Sequence, residues 1–119
     1  MSNIKSVVEQ LHSAIDGVMV TAVIDDSGMV VASTGSGIDI EAAGAGNSEV
    51  VRAKLRTMKS LGLNDELEDI LITLGKQYHI IRPLAKYEGM FVYVVLDRKR
   101  GNLALARRQV LEFEPKITI

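Results

Sequence analysis

Three segments of this chain are apolar at consecutive positions rather than at alternate ones: Val18-Met19-Val20, Ile70-Leu71-Ile72 and Phe91-Val92-Tyr93-Val94-Val95. Successive side chains of a strand point to opposite faces, so none of these segments offers a face suited to water. An antiparallel sheet ordinarily leaves one face solvated. Here both faces must be covered. Three helical segments are available to do it, and spreading them over two faces gives an α/β (α+β) fold, a three-layer α/β/α sandwich.

The helical segments follow from spacing and punctuation. Ile4, Val7, Val8, Leu11 and Ile15 recur at helical intervals, predicting a helix over about residues 3–15, with Ser2 or Asn3 as cap and Gly17 as stop. Asp39 caps a long helix that reaches about Ser60 and stops at Gly62. Its stripe reads Ile40, Ala43/Gly44, Asn47, Val51, Leu55 and Met58, and its first half is unusually small. Gly44 and Gly46 each cost about 1 kcal/mol relative to Ala inside a helix. Either the helix starts later, capped by Asn47 or Ser48, or the small residues admit a second backbone. Asn102 caps a last helix carrying Leu103, Ala106, Val110 and Phe113, which Pro115 ends.

Strands fill the intervals. Val18–Ile24 and Met29–Ser33 flank Asp25-Asp26-Ser27-Gly28, a hairpin with suitable turn chemistry. A Gly/Ser/Thr-rich stretch, Ser33–Gly37, interrupts the pattern before the long helix. Leu67–Leu74, Gln77–Leu84 and Met90–Leu96 make three more strands, the last two joined through Lys86–Gly89. Gly75-Lys76 fits a two-residue turn, which sets Leu74 opposite Gln77, Leu71 opposite Ile80 and Asp69 opposite Arg82 as a cross-strand ion pair. The element order is α-β-β-α-β-β-β-α. The expectation is one domain over residues 1–119; Lys116–Ile119 is left open between frayed end and short strand.

The charge balance is nearly neutral, −1 from 14 basic and 15 acidic side chains, and the chain has only two Phe and three Tyr. Nucleic-acid binding needs a basic excess or stacking platforms, and neither is present. Cysteine is absent, which removes disulfides, thiolate metal sites and Cys nucleophiles. No signal peptide is evident and no apolar run approaches the ~20 residues of a membrane-spanning helix, so a cytoplasmic protein without membrane insertion is expected.

Catalytic templates find no match. His12, on the polar half of the first helix, and His79, opposite Ile72 in a strand, have no partners at metal-ligand spacing. Gly35-Ser36-Gly37 and Gly44-Ala45-Gly46 lack the third glycine and the Gly-Lys-Ser/Thr of phosphate cradles, and no Gly-x-Ser-x-Gly elbow occurs. Asp25-Asp26 reads as a turn, because Asp there bonds its own backbone. Glu66, Glu68 and Asp69 are spread over both faces of their strand. The expectation is a protein without catalytic, cofactor-binding or metal-binding residues.

What remains is surface. Leu67–Leu74 carries no Pro, Lys or bulge-forming Gly before its end, and as an edge strand it would offer unpaired backbone groups to any other chain. A symmetric homodimer resolves that, with two copies of the strand pairing and the small half of the long helix packing on its copy. The interface then takes in Gly44, Asn47, Ser48, Val51, Leu55, Leu67, Asp69 and Leu71. Arg52, Arg56 and Lys59 on the same helix are either a solvated charge run or a docking surface for an acidic partner.

The element order, the hairpin Val23-Ile24-Asp25-Asp26-Ser27-Gly28-Met29-Val30-Val31-Ala32 and the helix opening Gly101-Asn102-Leu103-Ala104-Leu105-Ala106-Arg107 together resemble the roadblock family. That family takes in dynein light chains and bacterial MglB-like regulators of Ras-like small GTPases, on a profilin-like architecture. The resemblance covers nearly the whole chain. It implies a five-stranded antiparallel sheet between helices, dimers formed through the long helix and the third strand, and a homodimeric regulator or scaffold for a Ras-like small GTPase, with GTPase activation as one form of that role. Two further readings stay open, a structural adaptor or light-chain subunit of a larger complex and a small-ligand sensor domain.

Overall fold

The computed structural model describes residues 2–119. The helices are α1 (Ile4–Ala14), α2 (Ile40–Ser60) and α3 (Leu103–Phe113); the strands are β1 (Val18–Ile24), β2 (Val30–Gly35), β3 (Ile70–Thr73), β4 (Gln77–Pro83) and β5 (Phe91–Asp97). The strands form one antiparallel sheet in the order β2-β1-β5-β4-β3. β5 lies at its centre, and Phe91–Leu96 are all buried. Val92, Val94 and Leu96 join the core under α1 and α3, while Phe91, Tyr93 and Val95 join the core under α2. The doubly apolar strands thus have the two covered faces that their sequence demands.

Local chemistry explains the helix limits. Asp39 accepts a hydrogen bond from the Ala42 amide, so α2 starts at the early cap and runs through Gly44 and Gly46. Its end is a Schellman closure: Leu63 N–H reaches the Met58 carbonyl, Gly62 N–H reaches that of Lys59, and Gly62 takes φ +69°. α1 buries Ile4, Val7, Val8 and Leu11, each contributing on the order of 2 kcal/mol through burial. Asn3 stands at its N-cap without a side-chain cap bond; the Ser2 hydroxyl accepts from Ile4 N–H at 3.4 Å. The Asn3 amide is occupied elsewhere. It donates to Lys116 O and accepts from Thr118 N–H, both at 2.7 Å, clasping the C-terminal tail beside the start of α1. That clasp, a 3₁₀ turn over Glu114–Lys116 containing Pro115, and burial of Ile117 order the tail without making it a strand.

The sheet differs from the sequence-based expectation at two places. β2 runs Val30–Gly35 rather than Met29–Ser33, because Met29 closes the turn with its carbonyl on Asp25 N–H and the ladder continues past Ser33. β3 is only Ile70–Thr73, so Leu67, Glu68 and Asp69 lie outside it. The register is the expected one, with Leu71 opposite Ile80 and Ile72 opposite His79. Continued backward, it would set Glu68 against Pro83, which has no N–H to donate. The Arg82 guanidinium supplies that hydrogen bond instead, reaching Glu68 O at 3.2 Å, and the ladder ends there.

Candidate interaction surface

The groups that suggested chemistry in the sequence serve the fold. Asp25 accepts from Ser27 N–H, the Ser27 hydroxyl and Met29 N–H at 2.8–3.0 Å, as a turn-forming Asp should. The Ser27 hydroxyl and the Met29 amide hold its carboxyl below the usual carboxylate range. His12 is half-buried rather than solvated, its Nδ1 3.0 Å from the Thr21 hydroxyl of β1. His79 Nε2 lies 2.9 Å from Gln77 Oε1, which can only accept, and Nδ1 lies 2.8 Å from the Tyr93 hydroxyl. A neutral imidazole with its proton on Nε2 satisfies both contacts. Burial lowers the pKa of both histidines and raises that of Tyr93, the last partly offset by the neighbouring Asn47 side chain. Among the described residues no cluster of His, Asp and Glu has metal-site geometry, and no buried side-chain polar atom lacks a partner.

The cross-strand pair Asp69–Arg82 does not form. Asp69 makes a two-pronged contact with Arg107 of α3, both bonds at 3.0 Å, and Arg82 Nε bonds Glu114 Oε1 at 3.0 Å. Glu114 is 2% exposed and also accepts from Ala85 N–H, so a buried carboxylate takes the nearest cation. α3 therefore claims both charges that the hairpin register alone would pair.

The two sheet edges are unlike. β2 is blunted: its register slips between Val23 and Ile24, leaving Val31 without an opposite residue, and Gly35 has φ +99°. β3 has neither device. Leu74 N–H bonds Gln77 O, so by antiparallel alternation Ile72 and Ile70 bond β4, while Leu71 and Thr73 aim N–H and C=O outward. An open, regular edge remains.

α2 covers the sheet face that carries Ile70 and Ile72, runs nearest the opposite edge strand β2, and is under-packed. Of its 21 residues only Gly44, Ser48, Val51 and Met58 are buried. Val50 and Leu55 remain 38% and 43% exposed, and Leu61 and Leu63 just past the helix 64% and 52%. On the sheet face below, Ile70 and Ile72 are only partly buried. The expected interface residues separate accordingly. Gly44 already meets its own protomer: a β-carbon there would lie 2.8 Å from the Gly28 carbonyl oxygen and 3.2 Å from Ile24 Cδ1. The smallness of Gly44 thus seats the β1–β2 hairpin on α2 and is not room left for a copy of the helix. Ser48 and Val51 are likewise turned inward, whereas Asn47 and Leu67 are half-buried and Leu55 is exposed. Leu71 and Asp69 are partly buried against α3's side of the sheet and against Arg107.

Arg52 is less free than its place in the charge run suggests. Its guanidinium bonds the Ser48 hydroxyl and forms an ion pair with Glu49, three residues back. The Glu49–Arg52 spacing was the available signal for that pair. Arg56 and Lys59 are exposed and, among the described residues, form no ion pair. Sequence reasoning passed over Val50, Leu61 and Leu63, although an apolar Leu61-Gly62-Leu63 directly after a helix stop was a readable sign of exposed apolar surface.

No protein-family model matches the sequence, and no curated protein matches it either. Solved structures do match in shape. A Roadblock/LC7 domain from Streptomyces avermitilis superposes with a TM-score of 0.78 at 10% identity, over 94% of this chain and 92% of that one. Myxococcus xanthus MglB gives 0.80 at 18% identity, over 94% and 89%. An MglB with tetrameric arrangement gives 0.81 at 13% identity, over 93% and 82%. The order of elements, the sheet order and these superpositions agree that this chain has the Roadblock/LC7 fold.

Proposed function

We propose that this chain is a homodimeric docking protein for a Ras-like small GTPase, acting as regulator or scaffold and contributing no catalytic group of its own. The observation that carries the proposal is the open β3 edge of a sheet whose face is covered by an under-packed α2. Edge strands left regular and uncapped invite pairing, and apolar helix surface of this kind marks a contact site. Two copies related by a twofold axis would join their β3 strands into one sheet, and the half-buried Asn47 with the exposed Val50 and Leu55 of each α2 would cover the partly bare Ile70 and Ile72 region. The solved MglB with tetrameric arrangement supports self-association of this chain. Arg56 and Lys59, with the outer part of Arg52, supply the cationic surface for docking.

The test has two stages. Sedimentation velocity of the chain should show a concentration-dependent dimer, and Thr73→Pro should abolish it, because the Thr73 N–H points away from β4 and its loss spares the internal ladder. A circular-dichroism melt confirms that the variant folds. The dimer is then mixed with Ras-like GTPases from the same genome in each nucleotide state. Capture that depends on nucleotide and is lost in Arg56→Glu,Lys59→Glu supports the proposal; an altered hydrolysis rate marks a regulator and an unaltered one a scaffold. Absence of capture in every nucleotide state overturns it.

A further inference from the structure

The β3 border carries opposite charge at its two ends. Asp65, Glu66, Glu68 and Asp69 precede the strand, and Lys76 with Arg98 follows it. Arg98 is fixed at that end, its guanidinium bonding Leu74 O at 2.8 Å and lying over the Tyr78 ring. Asp69 is taken by Arg107. Glu66, Glu68 and Lys76 are exposed, and among the described residues their side chains form no ion pair or hydrogen bond.

Outward backbone groups lie on Leu71 and Thr73, so a twofold antiparallel pairing can be centred only on a residue, not between two. The strand's middle residues, Leu71 and Ile72, are the centres that keep most of it paired. Centred on Leu71, the pairing brings the segment holding Glu66, just before β3, toward the Gly75-Lys76 turn of the second copy. Centred on Ile72, it brings Glu68 toward that same turn. Either register places acid against base twice, once on each side of the axis. A parallel pairing would set like charges side by side.

We infer that this end-to-end charge asymmetry makes the β3 border selective for an antiparallel second copy of this chain. The inference rests on the dimer proposed above and names what chooses its partner. Charge complementarity of this kind sets orientation and partner choice more than raw affinity. Because the pairs are exposed, added salt should weaken the dimer by screening them.

Two variants test it. Lys76→Glu puts an acid in place of the exposed base at the turn end; Glu66→Lys,Glu68→Lys puts bases in place of the two free acids at the other end. All three side chains are exposed and unbonded, so both variants should melt like the wild-type chain. Each alone should dimerise on the order of tenfold more weakly than wild type, since two exposed pairs become repulsive. Mixed, the two variants restore every acid–base contact and should form a heterodimer at concentrations where each alone is monomeric. Variants that each self-associate as well as wild type, or a mixture that gains nothing, overturn the inference while leaving the dimer standing. A wild-type chain that stays monomeric overturns the dimer, and the inference with it.

Discussion

Gly44 and Gly46 sit two residues apart in the same helix and should respond to the same substitution with opposite signs. Replacing either by Ala gains helix propensity, about 1 kcal/mol. At Gly46 nothing lies within 4 Å of the new methyl group, so the gain is kept and the protomer becomes about 1 kcal/mol more stable. At Gly44 the methyl would meet the Gly28 carbonyl oxygen at 2.8 Å. That atom belongs to a tight turn and cannot swing aside like the end of a side chain. Overpacking of this sort costs roughly 1–3 kcal/mol. The propensity gain is common to both variants and cancels in their difference, which isolates the contact at about 1–3 kcal/mol. Urea unfolding followed by circular dichroism reads it directly. At roughly 4 °C per kcal/mol for a domain of this size, melting temperatures should also separate clearly. Repeating the series over a range of protein concentrations keeps any effect of Gly46 on association apart from its effect on the protomer. Equal stabilisation by both substitutions would refute the account of how the hairpin seats on α2.

Two further outcomes follow from the buried and titrating groups. Glu114→Ala leaves Arg82, whose side chain is 16% exposed, without its carboxylate and should cost about 3 kcal/mol or more in chemical denaturation. The folded-state pKa values of His12 and His79 both lie below 6.5, so the unfolded chain binds more protons as pH falls through that value. Stability should therefore begin to drop below about pH 6.5 and level off once both folded-state histidines are protonated; lowered Asp25 and Asp97 add a second decline, starting near 3.8. In His12→Gln,His79→Gln the first decline should vanish and the second remain.

The parts of the fold legible in the sequence were those decided within a few residues. Asp39 and Gly62 bracket α2 because a cap and a left-handed stop act over one turn of helix. The Gly75-Lys76 turn fixes β3 against β4 because a two-residue loop admits one register. Doubly apolar strands required helices on both faces, whatever the order of strands. The misread parts depended on contacts far apart along the chain. Asn3 was a plausible cap, yet its amide clasps Lys116 and Thr118. Asp69 and Arg82 were expected opposite each other, yet the ladder stops at Ile70 and Ile81 and α3 brings Arg107 and Glu114 to them. Gly44 was rightly singled out as needing a close backbone, but the backbone belongs to Gly28 of the same protomer. The open β3 edge was legible because its absence of Pro, Lys and bulges is a property of the segment itself. The division of α2 into inward and outward residues was not, since it depends on how the helix rotates over the sheet.

Residue-resolved hydrogen exchange at the Leu71 and Thr73 amides examines the pairing of β3 with its copy without altering a single side chain. Both amides point away from β4, so in a lone protomer they exchange with solvent like exposed backbone. Dimerisation through this border should slow them progressively as protein concentration rises, while the Ile72 amide, already bonded to β4, changes far less. Rapid exchange at Leu71 and Thr73 at every concentration, in a sample that sedimentation shows to be associated, would contradict β3 as the joining edge.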